Sequence, residues 1–138
     1  MQLSKHFSLE ELTHTDHRTL DNTPTDKELA NLVRLAEFLE VVRSILDKPI
    51  MVNSAYRSKA VNDAVGSKDT SQHRTGCAAD IRVPGMTPDK VVKAIIASDL
   101  AYDQVIREFD RWTHVSIAVT IPRKNALIID KLGVRPYA

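Results

Sequence analysis

The strongest constraint on how this chain folds is a hydrophobic stripe between residues 29 and 46. Leu29, Leu32, Val33, Ala36, Leu39, Val42 and Leu46 recur at steps of three and four. That period gathers side chains on one face of an α-helix. Thr25 and Glu28 precede the stripe as a capping box, in which each side chain satisfies a free backbone N–H of the other residue. Pro49 stops the pattern. The spacing predicts an amphipathic helix of roughly 22 residues. Such a helix must lay its apolar face on another layer, and the rest of the chain offers short strand-like segments for it.

Ser8 and Glu11 form a second S-x-x-E box, so a short helix is expected near residue 9. Residues 13–24, THTDHRTLDNTP, are polar and read as a loop. Ile50–Ala55 reads as a strand, and residues 58–65 as a short helix closed by Gly66. The stretch 67–76 reads as a loop and Ala78–Val83 as a strand. Thr87-Pro88 starts a helix that runs to about Ser98, with Val91, Val92, Ile95 and Ile96 inward. Gln104–Phe109 and Trp112–Val119 read as a β-hairpin around Asp110-Arg111. Ala126–Ile129 reads as one more short strand. The expected class is α+β: a small, mainly antiparallel sheet packed against helices, in one domain over residues 1–138.

Hydrophobic residues make up 43% of the 138, enough for a real core. The net charge is +1, from 19 basic and 18 acidic residues. That balance argues against a nucleic-acid partner, while leaving room for a local basic patch. The single cysteine, Cys77, excludes an intramolecular disulfide and a Cys-rich structural zinc site. It reads as a small packed residue, with a nucleophile or a fourth metal ligand as alternatives. The opening MQLSKHFSLEEL has no apolar signal-peptide core, and no apolar run reaches the roughly 18 residues of a membrane span. The expectation is a soluble monomer made in the cytosol, without membrane insertion.

Two loop-to-strand segments carry candidate chemistry: Ser71 to Asp80 and Glu108 to His114. Catalytic zinc sites take three protein ligands and leave a fourth position open. His73, Asp80 and His114 supply two imidazoles and one carboxylate. The gap from His73 to Asp80 is too long for one helical face and suits a loop ligand followed by a strand ligand. Gly76 permits a sharp turn between them. A general base is also needed. A three-residue hairpin connection centred on Arg111 places Glu108 directly across from His114. On a continuous strand Asp110 shares the face of His114 instead. The only tryptophan, Trp112, is two residues from His114 and can wall a cleft or pack in the core.

Ser71-x-His73-x-x-Gly76-x-Ala78-x-Asp80, followed by Glu108 and Trp112-x-His114, resembles the zinc D-Ala-D-Ala carboxypeptidase family. That family includes DD-dipeptidases and bacteriophage endolysins, and its metal core is similar to that of Hedgehog signalling domains. Leu3-Ser4-Lys5-His6-Phe7-Ser8-Leu9-Glu10-Glu11 resembles the family's opening LSKNFTLEE. Asn53-Ser54-Ala55-Tyr56-Arg57-Ser58 is similar to its S-G-Y-R-S stretch, and Val61 to Gly66 to its VN-x-AVGG. Asp103-Gln104-Val105-Ile106-x-Glu108 resembles the segment that delivers its base.

The resemblance implies Zn2+ on His73, Asp80 and His114, with Glu108 as catalytic base. It implies that Arg57 holds a substrate carboxylate or steadies an oxyanion, and that Ser71 and Gln72 shape the metal loop or bind substrate. Many members carry an acid three residues before the last His, where this chain has Arg111; the branch with the acid further upstream fits Glu108. The implied partner is a peptidoglycan stem peptide, cut by a carboxypeptidase or an endopeptidase of phage or prophage origin that meets the wall after release. A non-catalytic zinc-stabilised binding module is the alternative that the Hedgehog likeness implies.

Overall fold

A computed structural model describes residues 1–137. Four helices are formed: α1 (Leu9–Leu12), α2 (Asp26–Leu46), α3 (Lys59–Ala64) and α4 (Pro88–Ala97). Six strands are β1 (Met51–Ser54), β2 (Ala78–Arg82), β3 (Gln104–Glu108), β4 (Trp112–Ser116), β5 (Asn125–Asp130) and β6 (Gly133–Pro136). The class is α+β, as expected.

Helix α2 starts on the complete Thr25–Glu28 box. The Thr25 hydroxyl accepts from the Glu28 N–H at 3.3 Å, and the Glu28 carboxylate accepts from the Thr25 N–H at 2.9 Å. It ends at Asp47, in the left-handed region at φ 52°, two residues before Pro49. Leu32, Leu35, Ala36, Phe38, Leu39, Val42 and Leu46 are buried. The arc is wider than the stripe predicts: Leu35 and Phe38 are in, whereas Leu29 and Val33 are only half-buried. The helix shares one core with Ala79, Ile81, Val105 and Val115 of the sheet and with Val91, Val92 and Ile95 of α4. Two partner layers demand more than one narrow face. Each fully buried Leu or Val contributes about 1.5–3 kcal/mol over leaving it in water.

The sheet order is β1-β2-β4-β3-β5-β6. Every pairing is antiparallel except β3 with β5, which is parallel. Register sets the two faces. Ser54 pairs with Asp80, and Asp80 with His114; Glu108 pairs with Trp112. These residues share the face away from the helices, because neighbours across strands point the same way and alternate along them. Ala79, Ile81, Val105 and Val115 take the other face and fill the core.

Several expected boundaries move. Residues 67–76 are not wholly loop, because Gln72–Thr75 form a 3-10 turn. β4 stops at Ser116, and the exposed Val119 lies beyond it. β6 carries no alternation signal; Pro136 is tolerated there because an edge strand leaves one row of backbone groups unpaired. The hairpin connection is Phe109-Asp110-Arg111, with Phe109 and Asp110 both at φ 52°. It is therefore centred on Asp110, and the residue directly across from His114 is Ile106, not Glu108.

Gly76 closes the 3-10 turn at φ 79°, against α2. A β-carbon there would meet the Glu28 carbonyl oxygen at 2.9 Å and Leu32 Cγ at 3.1 Å. Gly76→Ala is expected to lose about 2–3 kcal/mol from the strained backbone conformation and the contact. Urea unfolding checks this; a loss below about 0.5 kcal/mol would show that the turn yields freely.

Candidate metal centre and active site

His73 is delivered by the 3-10 turn, Asp80 by β2 and His114 by β4. The Ser71 hydroxyl caps the turn, accepting from the His73 N–H at 3.3 Å. The Arg57 N–H donates to the His73 carbonyl at 3.0 Å, tying the turn to the segment after β1. His73 Nδ1 lies 2.7 Å from the Ala55 carbonyl and can only donate to it. That bond fixes the tautomer and leaves Nε2 as a lone pair, the second-layer orientation of metal-binding imidazoles.

His73 Nε2 is 3.4 Å from Asp80 Oδ1, and His114 Nδ1 is 3.0 Å from the same oxygen. The candidate ligand atoms all lie within 4.8 Å of one another. Adjacent ligand atoms around a tetrahedral ion with bonds of about 2.0–2.1 Å stand about 3.3 Å apart. The two spacings to Asp80 are close to that value, and the donor set suits zinc. All three residues are buried, and they form the one such His/Asp/Glu/Cys group among the described residues. Burial pushes the His73 pKa down against the pull of Asp80, which favours the neutral imidazole that a metal needs. Burial would raise Asp80, but the neighbouring His73 and His114 imidazoles outweigh it and hold the carboxyl well below its usual range.

The centre opens into a cavity of about 530 Å³ walled by Arg57, Ser71, His73, Asp80, Glu108, Phe109, Trp112 and His114, among others. Glu108 is half-buried in that wall. Burial, then the nearby Asp80 charge, raises its pKa above the ordinary carboxyl value; His114, the Trp112 indole and Arg57 oppose the rise. Asp110 is not in the wall. It faces solvent and pairs with Arg107 at 2.5 and 3.1 Å, which holds its pKa down. The positive-φ turn breaks the period-two pattern that would have aimed Asp110 at His114.

Arg57 Nε donates to Ser54 Oγ at 3.1 Å, Nη1 to Asn62 Oδ1 at 3.5 Å and Nη2 to Asp80 Oδ2 at 3.5 Å. Burial lowers its pKa, while Asp80 and Glu108 sustain the charge. Trp112 walls the cleft with its ring 6.2 Å from Phe109. Its indole N–H is buried without a hydrogen-bond partner in the protein. Gln72 lines a neighbouring cavity rather than the central one and donates to Asp103 Oδ2 at 2.9 Å. Cys77 is packed in the hydrophobic core as a free thiol, outside the cavity wall. Ser54 and Asn62, which with Asp80 accept from Arg57, lie inside the family-like motifs, but nothing in their local sequence marks this role. The wholly buried amide of Asn62, inside a short helix, is the signal that points to it.

An α+β fold that holds a buried His–Asp–His centre beside a carboxyl of raised pKa has the parts of a metallopeptidase. The sequence profile of the Peptidase M15 family matches residues 5–116, a span that takes in all three candidate ligands and Glu108; the chain belongs to this family of zinc peptidases. A search of curated proteins found no match. No helix among the described residues is long and apolar enough to cross a membrane.

Two outcomes are expected here. His73→Ala loses zinc by elemental analysis, whereas His14→Ala and His17→Ala, at exposed loop positions, retain it; zinc kept by His73→Ala would remove it from the ligand set. The second concerns Asp103, whose pKa is lowered from 3.8 to about 2 by hydrogen bonds from Arg123, against the push of burial. A depressed carboxyl contributes stability above its unfolded value and loses it as the pH falls through the folded one. Wild type should weaken between about pH 4 and pH 2, with a shallower decline in Asp103→Asn across that window in acid-unfolding curves.

Proposed function

We propose that this M15 peptidase is a zinc-dependent hydrolase of peptide bonds in bacterial peptidoglycan stem peptides. It is of the D-Ala-D-Ala carboxypeptidase or endolysin-type endopeptidase kind and works as a monomer. The observation that carries the reading is Glu108: a half-buried carboxyl of raised pKa in the same cavity wall as the three metal-type ligands. A purely structural zinc site has no use for such a group. The resemblance to endolysins supports a phage or prophage origin and action on the wall after release.

Bound to His73, Asp80 and His114, zinc supplies a Lewis acid that acidifies water and polarises a carbonyl. Glu108 accepts the proton of the attacking water and returns it to the leaving amine. A pKa raised above the ordinary carboxyl value makes Glu108 a stronger base for the first transfer. Arg57 reaches the cavity from the Asp80 Oδ2 side, where its charge steadies negative charge on the carbonyl oxygen. Ser54 and Asn62 hold the guanidinium in place. Trp112 and Phe109 exclude water from one side of the cleft.

Glu108→Ala should keep its zinc and lose about 10²- to 10⁴-fold in kcat on defined muropeptides. Asp110→Ala should stay within about twofold of wild type, as expected of an exposed residue paired only with Arg107. Activity of the wild type should fall as the pH drops through the raised Glu108 pKa, because the base is then protonated. No cleavage of any D-Ala-containing or cross-linked substrate by zinc-loaded wild type would sink the hydrolase reading. Equal cleavage by Glu108→Ala would sink the base assignment.

A further inference from the structure

The turn between β3 and β4 runs against the backbone preference of one of its residues. The Arg111 N–H donates to the Glu108 carbonyl at 3.0 Å, closing a β-turn whose central residues, Phe109 and Asp110, both have φ 52°. Gly, Asn and Asp suit such positions, because a larger side chain crowds the carbonyl oxygen there. Asp110 meets that requirement, and Arg107 holds its carboxylate at 2.5 and 3.1 Å. Phe109 does not meet it. A bulky aromatic in the left-handed region is an outlier, and it persists only where the surroundings hold it. Here the Phe109 N–H donates to the Ile129 carbonyl at 2.8 Å, so β5 pins the backbone. The core gains little in return, because Phe109 is 47% exposed and lies outside the hydrophobic cluster.

The position of the ring supplies a use for it. Phe109 belongs both to the wall of the central cavity and to that of a cleft of about 260 Å³ between the β3–β4 and β5–β6 turns. Across that cleft stands Leu132, 81% exposed in the second turn. The two carboxylates of the cleft are already engaged. Asp110 pairs with Arg107, and Asp130 accepts from Arg135 at 2.8 and 2.9 Å and from the Leu132 N–H at 2.9 Å. Those bonds also hold the turns in shape. Lys131, the remaining wall residue, is exposed. The cleft therefore presents two apolar side chains to solvent, and one of them also walls the metal cavity.

We infer that Phe109 and Leu132 form an apolar clamp at the mouth of the metal cavity, which receives one aliphatic side chain of the bound peptide and makes Phe109 a specificity-determining residue. The inference rests on the proposed stem-peptide hydrolysis and deepens it by naming what part of the substrate is read outside the metal centre. An Asn or Gly at position 109 would relax the turn, and the chain carries a Phe instead. Backbone strain held beside a catalytic cavity is the form a trade of stability for substrate contact takes. A side chain lodged between the two turns leaves water and gains apolar contact on both sides.

The test uses the zinc-loaded full chain with L-Ala-γ-D-Glu-L-Lys-D-Ala-D-Ala and with analogues in which one Ala or the Lys is replaced by Gly. Wild type, Phe109→Asn, Phe109→Ala and Leu132→Asn are compared by kcat and KM, and by peptide Kd in a Glu108→Ala background. Wild type should disfavour one of the analogues by about fivefold in KM and Kd, as for the loss of one buried methyl or methylene. Phe109→Asn should raise KM for the parent peptide by about fivefold, keep kcat within about twofold and abolish that discrimination, because both changes remove the same contact. Leu132→Asn should reduce the discrimination. Urea unfolding separates the ring from the fold. Asn tolerates positive φ and Ala does not, so Phe109→Asn should unfold at about 0.5 M more urea than Phe109→Ala and no lower than wild type. Discrimination that is absent in wild type, or that survives unchanged in Phe109→Asn, overturns the clamp. So does a Phe109→Asn midpoint more than about 0.5 M below wild type, which would make the ring part of the core. Peptide binding that discriminates through Phe109, without cleavage by wild type, overturns stem-peptide hydrolysis and leaves the clamp standing. Neither cleavage nor binding overturns both.

Discussion

Two imidazole nitrogens converge on one oxygen of Asp80, at 3.0 and 3.4 Å, while Arg57 approaches the other at 3.5 Å. Burying a carboxylate this deeply costs several kcal/mol unless partners compensate it. Here the partners come from three separate parts of the chain. His114 stands directly across the β2–β4 ladder, so antiparallel register alone supplies it. His73 arrives on a 3-10 turn held by Ser71 and by the Ala55 carbonyl. Arg57 follows β1. The metal-type site exists because these arrivals coincide at one carboxylate.

The long helix matters to the centre although none of its residues enters it. Gly76 packs against the first turns of α2, and Asn31 of that helix donates to the Thr75 carbonyl at 2.9 Å. Glu28, already half of the N-terminal capping box, also accepts from the Tyr56 hydroxyl at 2.9 Å and lies 3.6 Å from Arg74. One residue thus caps the helix, holds the segment before Arg57 and steadies the turn that carries His73. Asn22 does similar work in the loop before α2, donating to the Thr13 and Tyr56 carbonyls and accepting from the Ser58 N–H. Rigidity of the helical layer is passed to the metal turn through hydrogen bonds of this kind, and catalytic geometry needs that support.

Much of this is legible in the sequence. Capping boxes at Thr25 and Ser8 and the Thr87-Pro88 start are local signals, and each helix begins where its own residues say. The candidate ligands were legible as a set because imidazole and carboxylate in a loop-then-strand spacing have few other uses, and the motifs around them match the family found over residues 5–116. Other features were not. β6 lacks alternation because an edge strand exposes both its faces in part. Leu35 and Phe38 are buried in the one core that α2 shares with α4 and the sheet, which no single-face period encodes. Asp103 and Arg123 are 20 positions apart, and nothing local marks them as a pair.

Sequence by itself determined which segments are helical, which side chains can bind a metal and which two carboxyls compete as base. Those properties reside in residue type and short spacing. Tertiary structure put only one of these carboxyls in the cavity wall. Positive φ at Phe109 and Asp110 turns the chain away from the sheet, so Asp110 swings out to Arg107 while Glu108, the last residue of β3, stays in the cavity wall. It also decided which side chains meet in the cleft wall, bringing Arg57, His73, Asp80, Glu108, Trp112 and His114 together from separate segments. Backbone sign at two turn residues and the meeting of distant walls are consequences of packing, and no periodicity along the chain records them.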